Sequence, residues 1–550
     1  MKVEKKDKAF AFLFGALVGL VLFYKIYGYG VIGITNVEWL LSGGDLTRSY
    51  LGWVSYRNSP WHFPLWLTDN LITGESVSIL YTGSVPLLAI IFKLFRSILP
   101  VHFQYFGLYG LICFIIQGGL SAIIFRKYTK NYLYCALGAV LMIVCPVLLE
   151  DMFTDMSFAG HFVVLVPIYL WVYREDFKEL QTKIYVGIAL GILAVFVSYY
   201  FFVIMGIVLL GYAVEEAITD KKIGGSLVLM VFYAITFILG FAVLGGFHNQ
   251  FSDTHIDGTM NNTNLNALWN TNGFGTAATN IMQKQTGTFF LKGLSLASSG
   301  QHDGFAYLGL GIIFMLIGSG SIYLLDFKKD KLKDKVSAGR IFGMITIIIV
   351  TLIFAIGSLV TFGVTQIAEI SYQSQFQQLI GMFKHSGRFI IIIVYMITLF
   401  GIANLIKQNK PYAIVVVLVG AIILQTFDIK NICGDYSRYN YTSTIDTGAL
   451  DTLGCNNVVI IGNADYAYTK TGYDLAIYAV TNKKSINMFP LSRSMYDKTT
   501  QIVQSYMYEL ESGVARPSTL YIFADATANP WNYSCLNLYQ VNGIIVGVSK

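Results

Sequence analysis

The stretch SGGDLTRSYLGWVSYRNSPWHFPLWLTD, from Ser42 to Asp69, follows the first long apolar run of the chain. It holds the acid Asp45 in a Gly-Gly turn, followed by the cations Arg48 and Arg57. Its three tryptophans are Trp53, Trp61 and Trp66. Because tryptophan rings gather at the level of lipid headgroups, the stretch predicts a loop at a membrane surface with its indole rings at that level.

The composition places this loop in a membrane protein. Of the 550 residues, 55% are apolar and 13% are charged, and the mean hydropathy is +0.58. A soluble domain carries about 25% charged residues, and the apolar runs of this chain are long enough to span a bilayer. The net charge of +6 does not indicate nucleic-acid binding, because the cations lie between apolar runs, where they mark cytoplasmic loops.

The basic residues also predict the orientation of the chain. Four lysines precede the first helix, at about 9–24, and place the N-terminus in the cytoplasm and the loop 28–102 outside. The run SVPLLAIIFKLFRSILP in that loop carries two cations, so we interpret it as an interfacial helix rather than a span. If it were a span, every later basic cluster would face outward. The charge bias therefore favours about eleven spans, two of them forming a tight pair within 184–218.

The sequence pattern changes near residue 430. Beyond it, β-rich runs such as VVIIG and TLYIFA alternate with helical candidates, which is typical of an α/β domain. We therefore expect a mainly α fold. It consists of a polytopic helical bundle over 1–429, with long external loops at 28–102 and 248–304, and a small extracytoplasmic α/β domain over 430–550. The three cysteines of the second part leave one disulfide open.

Asp45 is the first candidate for chemistry, because an acid near a membrane face is a functional hypothesis by default. The flanking glycines leave a second interpretation, in which Asp45 caps a helix starting at Leu46 by accepting backbone N–H bonds. The two roles are compatible with each other.

A second acidic group lies at the end of the third apolar run. Glu150 and Asp151 are followed by Asp155, and His161 comes one to two turns later. Three interpretations stay open: a solvated helix end, a second acid at the rim of a cleft, or a metal site. The spacing of these side chains indicates no particular metal.

The loop 248–304 is rich in Asn, Gly and Thr and carries His302 and Asp303 near its end. Loops of this length in a compact protein are usually functional or disordered. Its amides, together with Asp253 and Asp257, suit hydrogen bonds to sugar hydroxyls. The alternative is a flexible, solvated loop.

The segment MFKHSGRF places Lys384, His385 and Arg388 at the outer entry of a predicted helix. Cations on that side run against the cytoplasmic bias, and binding the phosphate of an anionic lipid would explain them. Arg57 is a weaker candidate for the same anion. The alternative is that these side chains snorkel to the headgroups.

Together these parts suit the transfer of a sugar from a lipid phosphate. A carboxylate, Asp45, takes the proton of the acceptor hydroxyl. Cations stabilise the departing phosphate, where negative charge develops. Displacement from the opposite face of an oxocarbenium-like sugar inverts the anomeric configuration.

Six stretches, in this order, resemble a bacterial family of GT-C-like membrane proteins: GGDLTRSYLGW, RNSPWHFPL, PLLAIIFKLF, FQYFGLYGLICFIIQG, DGFAYLGLG and KHSGRF. The resemblance covers essentially the whole chain. It implies a lipid-linked sugar donor and a catalytic acid in the first external loop, here Asp45. The paired acids of protein mannosyltransferases are absent, since Leu46 follows Asp45, and so is the WWDYG-like motif of oligosaccharyltransferases.

The sequence therefore predicts a multi-pass glycosyltransferase of the plasma membrane that acts at the outer face. It would move a sugar from a polyprenyl-phosphate carrier to a cell-envelope glycan or lipid, without a certain cofactor and without nucleic acid. The residues expected to contact substrate are Arg57, Glu150, Asp151, His161, His302, Asp303, Lys384, His385 and Arg388. One alternative is a flippase for a lipid-linked glycan, which the nearly uncharged middles of the spans argue against. Another alternative is a non-catalytic scaffold.

Overall fold

The computed structural model of the protein describes residues 3–252, 261–326, 337–371, 385–408, 410–525 and 527–550, and the chain is mainly helical. The helices are α1 (Lys5–Tyr27), α2 (Gly44–Asn58), α3 (Pro86–Leu94), α4 (Phe106–Arg126), α5 (Tyr132–Ile143), α6 (Pro146–Asp151), α7 (Phe162–Val172), α8 (Leu180–Val197), α9 (Tyr200–Thr219), α10 (Gly224–Val243), α11 (Thr276–Met282), α12 (Leu310–Asp326), α13 (Ala338–Ile356), α14 (Ile391–Lys407), α15 (Pro411–Asp428), α16 (Thr447–Asp451), α17 (Lys470–Thr481) and α18 (Tyr496–Glu511). The strands are β1 (Leu67–Ile72), β2 (Glu75–Ser78), β3 (Leu359–Phe362), β4 (Thr365–Glu369), β5 (Asn457–Ile461), β6 (Ser485–Ile486), β7 (Thr519–Phe523), β8 (Leu536–Val541) and β9 (Ile544–Ser549).

Eight helices among the described residues are long and apolar enough to cross a membrane. They are α1, α4, α8, α9, α10, α13, α14 together with the turn before it, and α15. Three shorter helices, α5, α7 and α12, are also apolar. A set of such helices is that of a membrane-embedded protein, while the total of eleven spans and the orientation stay predictions.

Two features of the predicted helix order are confirmed. The run 184–218 forms the separate helices α8 and α9, and the break falls at Ser198 and Tyr199, where it was expected. The run SVPLLAIIFKLFRSILP contains α3, which has nine residues. A helix of that length is too short to cross a bilayer, so this run is not a full span.

Two helix ends were predicted wrongly. The third apolar run predicts one helix that continues to about 149, but the helix ends at Ile143 and α6 begins at Pro146, because proline has no N–H to continue the preceding helix. The apolar run after residue 340 predicts a helix that ends near Phe362, but α13 ends at Ile356, next to Gly357 at φ +63°. Residues 359–369 form the antiparallel hairpin of β3 and β4 instead.

Helix α1 packs closely against α4 through glycines. A side chain on Gly15 would overlap the carbonyl oxygen of Gly118, and one on Gly19 would overlap that of Phe114. Small residues let two apolar helices approach backbone to backbone, which is how helices associate in a bilayer. The position of α1 therefore depends on these glycines.

We expect Gly15→Leu to prevent the packing of α1 on α4 and to lower the yield of folded protein strongly. Gly320→Leu is the matched control, because Gly320 also lies in an apolar helix but no heavy atom would contact its added carbon within 4 Å. Size-exclusion chromatography of detergent-solubilised fusion proteins measures both. Equal yields of monodisperse protein from the two variants would contradict the close packing.

Two of the three tryptophans in the stretch 42–69 are buried inside the protein. The prediction that their indole rings lie at the headgroups is wrong for these two. Trp53 is fully buried and donates its Nε1–H to the carbonyl of Phe103 at 3.0 Å. Trp66 is buried and donates to the carbonyl of Pro86 at 2.9 Å. Only Trp61 is exposed, at 43%. The tryptophans therefore pack the loop into a solid body with α2 and α3.

The C-terminal part contains a five-stranded mixed sheet in the order β6-β5-β7-β9-β8. Strands β5, β6 and β7 are parallel, and β9 pairs antiparallel to both β7 and β8. The predicted β-rich runs VVIIG and TLYIFA form β5 and β7, and helices α17 and α18 alternate with the strands as expected. The described cysteines, including Cys433, Cys455 and Cys535, are all free thiols.

This sheet region docks onto the first loop. The backbone N–H of Ser492 donates to the carbonyl of Tyr81 at 2.8 Å, and Lys498 forms an ion pair of 2.7 Å with Glu75. Helix α17 packs against α2. Because α2 carries Asp45, the C-terminal part helps to hold that carboxylate in place.

Candidate functional site

One cleft brings together side chains from segments that are far apart in the sequence. Its volume is about 220 Å³. The acidic, basic and histidine residues that line it are Asp45, Glu150, Asp151, Asp155, His302, Asp303 and Arg388. Six of these seven are among the predicted site residues, and Asp155 belongs to the predicted acidic group.

Asp45 reaches the cleft from the first turn of α2. It follows Gly43 and Gly44, whose φ angles are +102° and +62°, and glycine adopts such angles most readily. The Oδ1 atom of Asp45 accepts a bond of 2.5 Å from Nη1 of Arg48, one turn later. Gly43 is the N-cap, and no described backbone N–H bonds to the Asp45 carboxylate. The interpretation of Asp45 as a cap is therefore wrong.

Arg388 holds two carboxylates of the cleft. Its Nη1 donates to Oδ2 of Asp155 at 2.5 Å, while Nη2 and Nε donate to Oδ1 of Asp303 at 3.1 and 3.4 Å. The other oxygen of Asp303 lies 2.6 Å from Nδ1 of His385. A guanidinium has five N–H donors, so these three bonds leave two without a partner among the described residues.

The neighbouring cations keep both acids ionised. Burial alone would raise the pKa of Asp155, but Arg388 and Arg48 together lower it below its ordinary value. Burial likewise opposes ionisation of Asp303, yet His385 and Arg388 hold its pKa well below the ordinary value. The centre of the site at neutral pH is thus a guanidinium between two carboxylates.

Glu150 is the acid of the cleft with the most unusual environment. Its Oε2 accepts bonds from the backbone N–H groups of Gly275 and Thr276, at 2.5 and 3.3 Å. Its Oε1 has no hydrogen-bond partner among the described residues and lies 3.6 Å from Nε2 of His302. Burial raises the pKa of Glu150 to about 7, although His302 opposes this shift. The prediction of a solvated helix end is therefore wrong for Glu150, which is buried.

The raised pKa of Glu150 predicts a dependence of stability on pH. A carboxyl whose pKa rises from its ordinary value to about 7 on folding holds its proton more tightly in the folded state, so stability falls as pH rises through that interval. Glu150→Gln removes this loss of about 3 kcal/mol and keeps an oxygen for the backbone N–H groups. Besides His302, the groups that face Glu150 include Asp151, Tyr27 and Tyr436.

Thermal unfolding of the solubilised protein at pH 5 and pH 8 measures the effect. We expect the melting temperature of Glu150→Gln to exceed that of the wild type by more at pH 8 than at pH 5. Glu509→Gln serves as a control, because the exposed Glu509 pairs with Arg516 and its pKa is lowered. A difference that is the same at both pH values would contradict the raised pKa.

A second cavity of about 190 Å³ adjoins the cleft. It shares Asp45, Asp155 and Arg388 with the cleft. The other residues that line it are Arg48, Leu80, Gly83, Ser157, Tyr199, Tyr200, His385, Tyr468, Leu491 and Ser492. Since the last three belong to the C-terminal part, this cavity lies between the two parts of the chain.

Two predicted contact residues lie away from both cavities. His161 is fully buried, and its ring nitrogens lie 2.8 Å from the hydroxyl of Tyr395 and 2.8 Å from Oδ2 of Asp151. It therefore orients Asp151 instead of contacting substrate. Arg57 donates to four carbonyl groups in the segment that follows α3. Its role is to hold that segment rather than to bind an anion.

Three predicted residues, Asp253, Asp257 and Lys384, lie outside the described residues. The amide side chains of the loop 248–304 mostly form hydrogen bonds within the protein. Asn262 bonds the carbonyl of Ile356, and Asn264 bonds that of Gly363. These asparagines stabilise the described part of the loop and are not open to sugar hydroxyls.

The sequence interpretation missed the ion pair between Asp45 and Arg48. The spacing i, i+3 on one helix indicates such a pair. It also gave Asp155 no partner, because the Asp155–Arg388 contact joins residues that are 233 positions apart in the sequence. No local pattern predicts a contact of that kind.

The family described as "Domain of unknown function (DUF6311)" matches residues 16–430. The chain belongs to this family. The associated "DUF6311 C-terminal domain" matches residues 451–549, which contain the five-stranded sheet. No curated protein shows significant similarity to the chain.

Proposed function

We propose that this DUF6311 protein is a GT-C-type glycosyltransferase that uses a sugar linked to a polyprenyl phosphate and acts at the outer face of the membrane. The observation that carries the proposal is that Asp45 and Arg388, from opposite ends of the membrane part, line the same cleft. A base for the acceptor and a cation for the leaving group are the two groups that such a transfer requires.

In the proposed step the acceptor hydroxyl loses its proton to the carboxylate of Asp45. The acceptor oxygen forms a bond to the anomeric carbon while the bond from that carbon to the phosphate oxygen breaks. The electron pair leaves with the phosphate oxygen. Attack from the face opposite the phosphate inverts the anomeric configuration.

The geometry of Asp45 supports the role of a base. Its Oδ1 is held by Arg48 at 2.5 Å, which orients the carboxylate, and its side chain is 33% exposed. No bond to Oδ2 joins it to another described residue. That oxygen is therefore free to accept the proton of a bound hydroxyl.

The charges around the second cavity support a phosphate on that side. Arg48, Arg388 and His385 line it together with only two acids, Asp45 and Asp155. Arg388 retains two N–H donors, and an arginine fork matches phosphate oxygens. A phosphate bound there would lie next to Asp45, which both cavities share.

Reconstitution in vesicles tests this function. Purified protein is incorporated with a radiolabelled polyprenyl-phosphate sugar and with glycan extracted from the cell envelope, and products are separated by chromatography. We expect label in a new glycosidic bond. Label that only changes leaflet, as unmodified lipid, would identify a flippase and contradict the proposal.

A further inference from the structure

Three buried polar atoms in the first cleft have no hydrogen-bond partner among the described residues. They are Oε1 of Glu150, Oγ1 of Thr154 and Nδ1 of His302, and all three residues line the cleft. Leaving a buried polar group unpaired is energetically unfavourable. A cluster of such atoms around one cavity indicates that a polar ligand completes their bonds.

The charge of the cleft favours a neutral ligand over an anionic one. Five carboxyl groups line it, namely those of Asp45, Glu150, Asp151, Asp155 and Asp303, against the guanidinium of Arg388 and the ring of His302. Charges of one sign in a concave, low-dielectric site act together on a ligand. Carboxylates are at the same time strong acceptors for hydroxyl hydrogens.

The remaining lining includes the polar residues Ser42, Thr276 and Asn280 as well as an apolar, partly aromatic wall. Phe153, Phe158 and Phe305 line it, with Leu46 and Ile391. A cavity with apolar walls and a few convergent polar groups is the usual form of a small-molecule site. A sugar ring has C–H faces that pack on such walls and hydroxyls that reach the polar groups.

We propose that this first cleft binds a neutral saccharide, the accepting end of the glycan, and that Glu150, Thr154 and His302 select its hydroxyl pattern. That this saccharide is the acceptor rests on the proposed function. The saccharide site itself is inferred from the cleft alone. It assigns the two cavities by charge: the phosphate to the one with two arginines, the uncharged sugar to the one with five acids. Asp45 lies where the two ligands would meet.

The carboxyl group of Glu150 and the imidazole ring of His302 are each held in place by other contacts. Oε2 of Glu150 is held by Gly275 and Thr276, so Oε1 is fixed in position. His302 is fixed by a contact to Gly273, where an added carbon would overlap the imidazole ring. Groups fixed in advance bind with a smaller entropic cost.

Saturation-transfer NMR on the full-length protein in nanodiscs tests the site with matched probes. The probes are the methyl glycosides of glucose, galactose and mannose, each paired with its uronic acid. We expect at least one neutral glycoside to bind with a millimolar Kd and its uronic acid to bind at least tenfold more weakly. Equal or tighter binding of the uronic acid, or no binding by any neutral glycoside, would overturn the inference.

Variants connect the binding to the three atoms. We expect Glu150→Gln, His302→Ala and Thr154→Ala each to weaken the neutral glycoside at least threefold. Thr351→Ala is the matched control, because the Thr351 hydroxyl is also buried without a partner among the described residues but lines neither cavity. Melting temperatures establish that each variant is folded, and unchanged affinity in all three folded cleft variants would refute the assignment.

The two proposals can fail separately. Wild-type protein that binds the glycoside but transfers no sugar would leave the saccharide site in place and remove the transferase. Protein that transfers sugar while the three variants keep full glycoside affinity would support the transferase and remove the saccharide site.

Discussion

Asp45→Asn is expected to lower the rate of sugar transfer about 10²- to 10⁴-fold, the usual contribution of a general base. Asparagine has nearly the same shape, and its oxygen can still accept the bond from Arg48. It cannot take a proton from a hydroxyl at neutral pH. The expected result is therefore a folded, inserted protein that binds its substrates and turns them over very slowly.

Asp435→Asn is the control for this variant. Asp435 pairs with Arg438 at i, i+3 and its side chain is 34% exposed, against 33% for Asp45 in its pair with Arg48. It lines neither cavity. The two substitutions are measured in the vesicle assay, with melting temperatures recorded alongside. Full transfer by folded Asp45→Asn would remove this residue from the mechanism.

Arg388→Ala is expected to destabilise the protein by about 3–5 kcal/mol, because it leaves buried charges unpaired. Asp155 loses its cation, and Asp303 is left with His385 alone. We expect a lower melting temperature and loss of transfer. Adding Asp155→Asn to the variant removes one of the unpaired buried charges and should recover part of the melting temperature.

Arg438→Ala provides the comparison for this effect. Its guanidinium is 84% exposed in its pair with Asp435, and exposed pairs contribute little, so no measurable shift is expected. Melting curves of detergent-solubilised protein give all three values. If Arg388→Ala melts at the temperature of the wild type, the buried network does not stabilise the fold.

Much of the fold follows from patterns that act over short distances. Apolar runs with basic flanks predict helices such as α8 and α9. β-rich runs that alternate with helical candidates predict the strands of the C-terminal sheet. Helix ends are harder to predict, because single residues decide them. Pro146 starts a new helix where a continuous one was expected, and Gly357 ends α13 before the predicted residue.

Most residues of the site could be predicted from the sequence. Their roles could be predicted much less well. Asp45, Glu150 and Arg388 have unusual positions in the sequence for a membrane protein, and they do line one cleft. Whether a predicted residue can contact substrate depends on its burial in the folded protein. His161 was expected to face substrate, yet both of its ring nitrogens lie within hydrogen-bond distance of partners inside the protein.

Aromatic and amide side chains also differ between their expected exposure and their burial in the structure. A tryptophan in the first loop and an asparagine in 248–304 are typical of exposed positions, but Trp53 and Asn262 are fully buried. Each is hydrogen-bonded to a backbone carbonyl. Such bonds join distant segments, so only the folded chain reveals them.

The central claim is that a lipid phosphate meets Asp45 and Arg388 at one place. Cryo-electron microscopy of the protein in nanodiscs containing polyprenyl phosphate tests it most directly. The account predicts phosphate density in the second cavity, within hydrogen-bond distance of Arg388 and beside Asp45, and loss of that density in Arg388→Ala. Density bound only elsewhere on the protein, with the second cavity empty, would contradict the account.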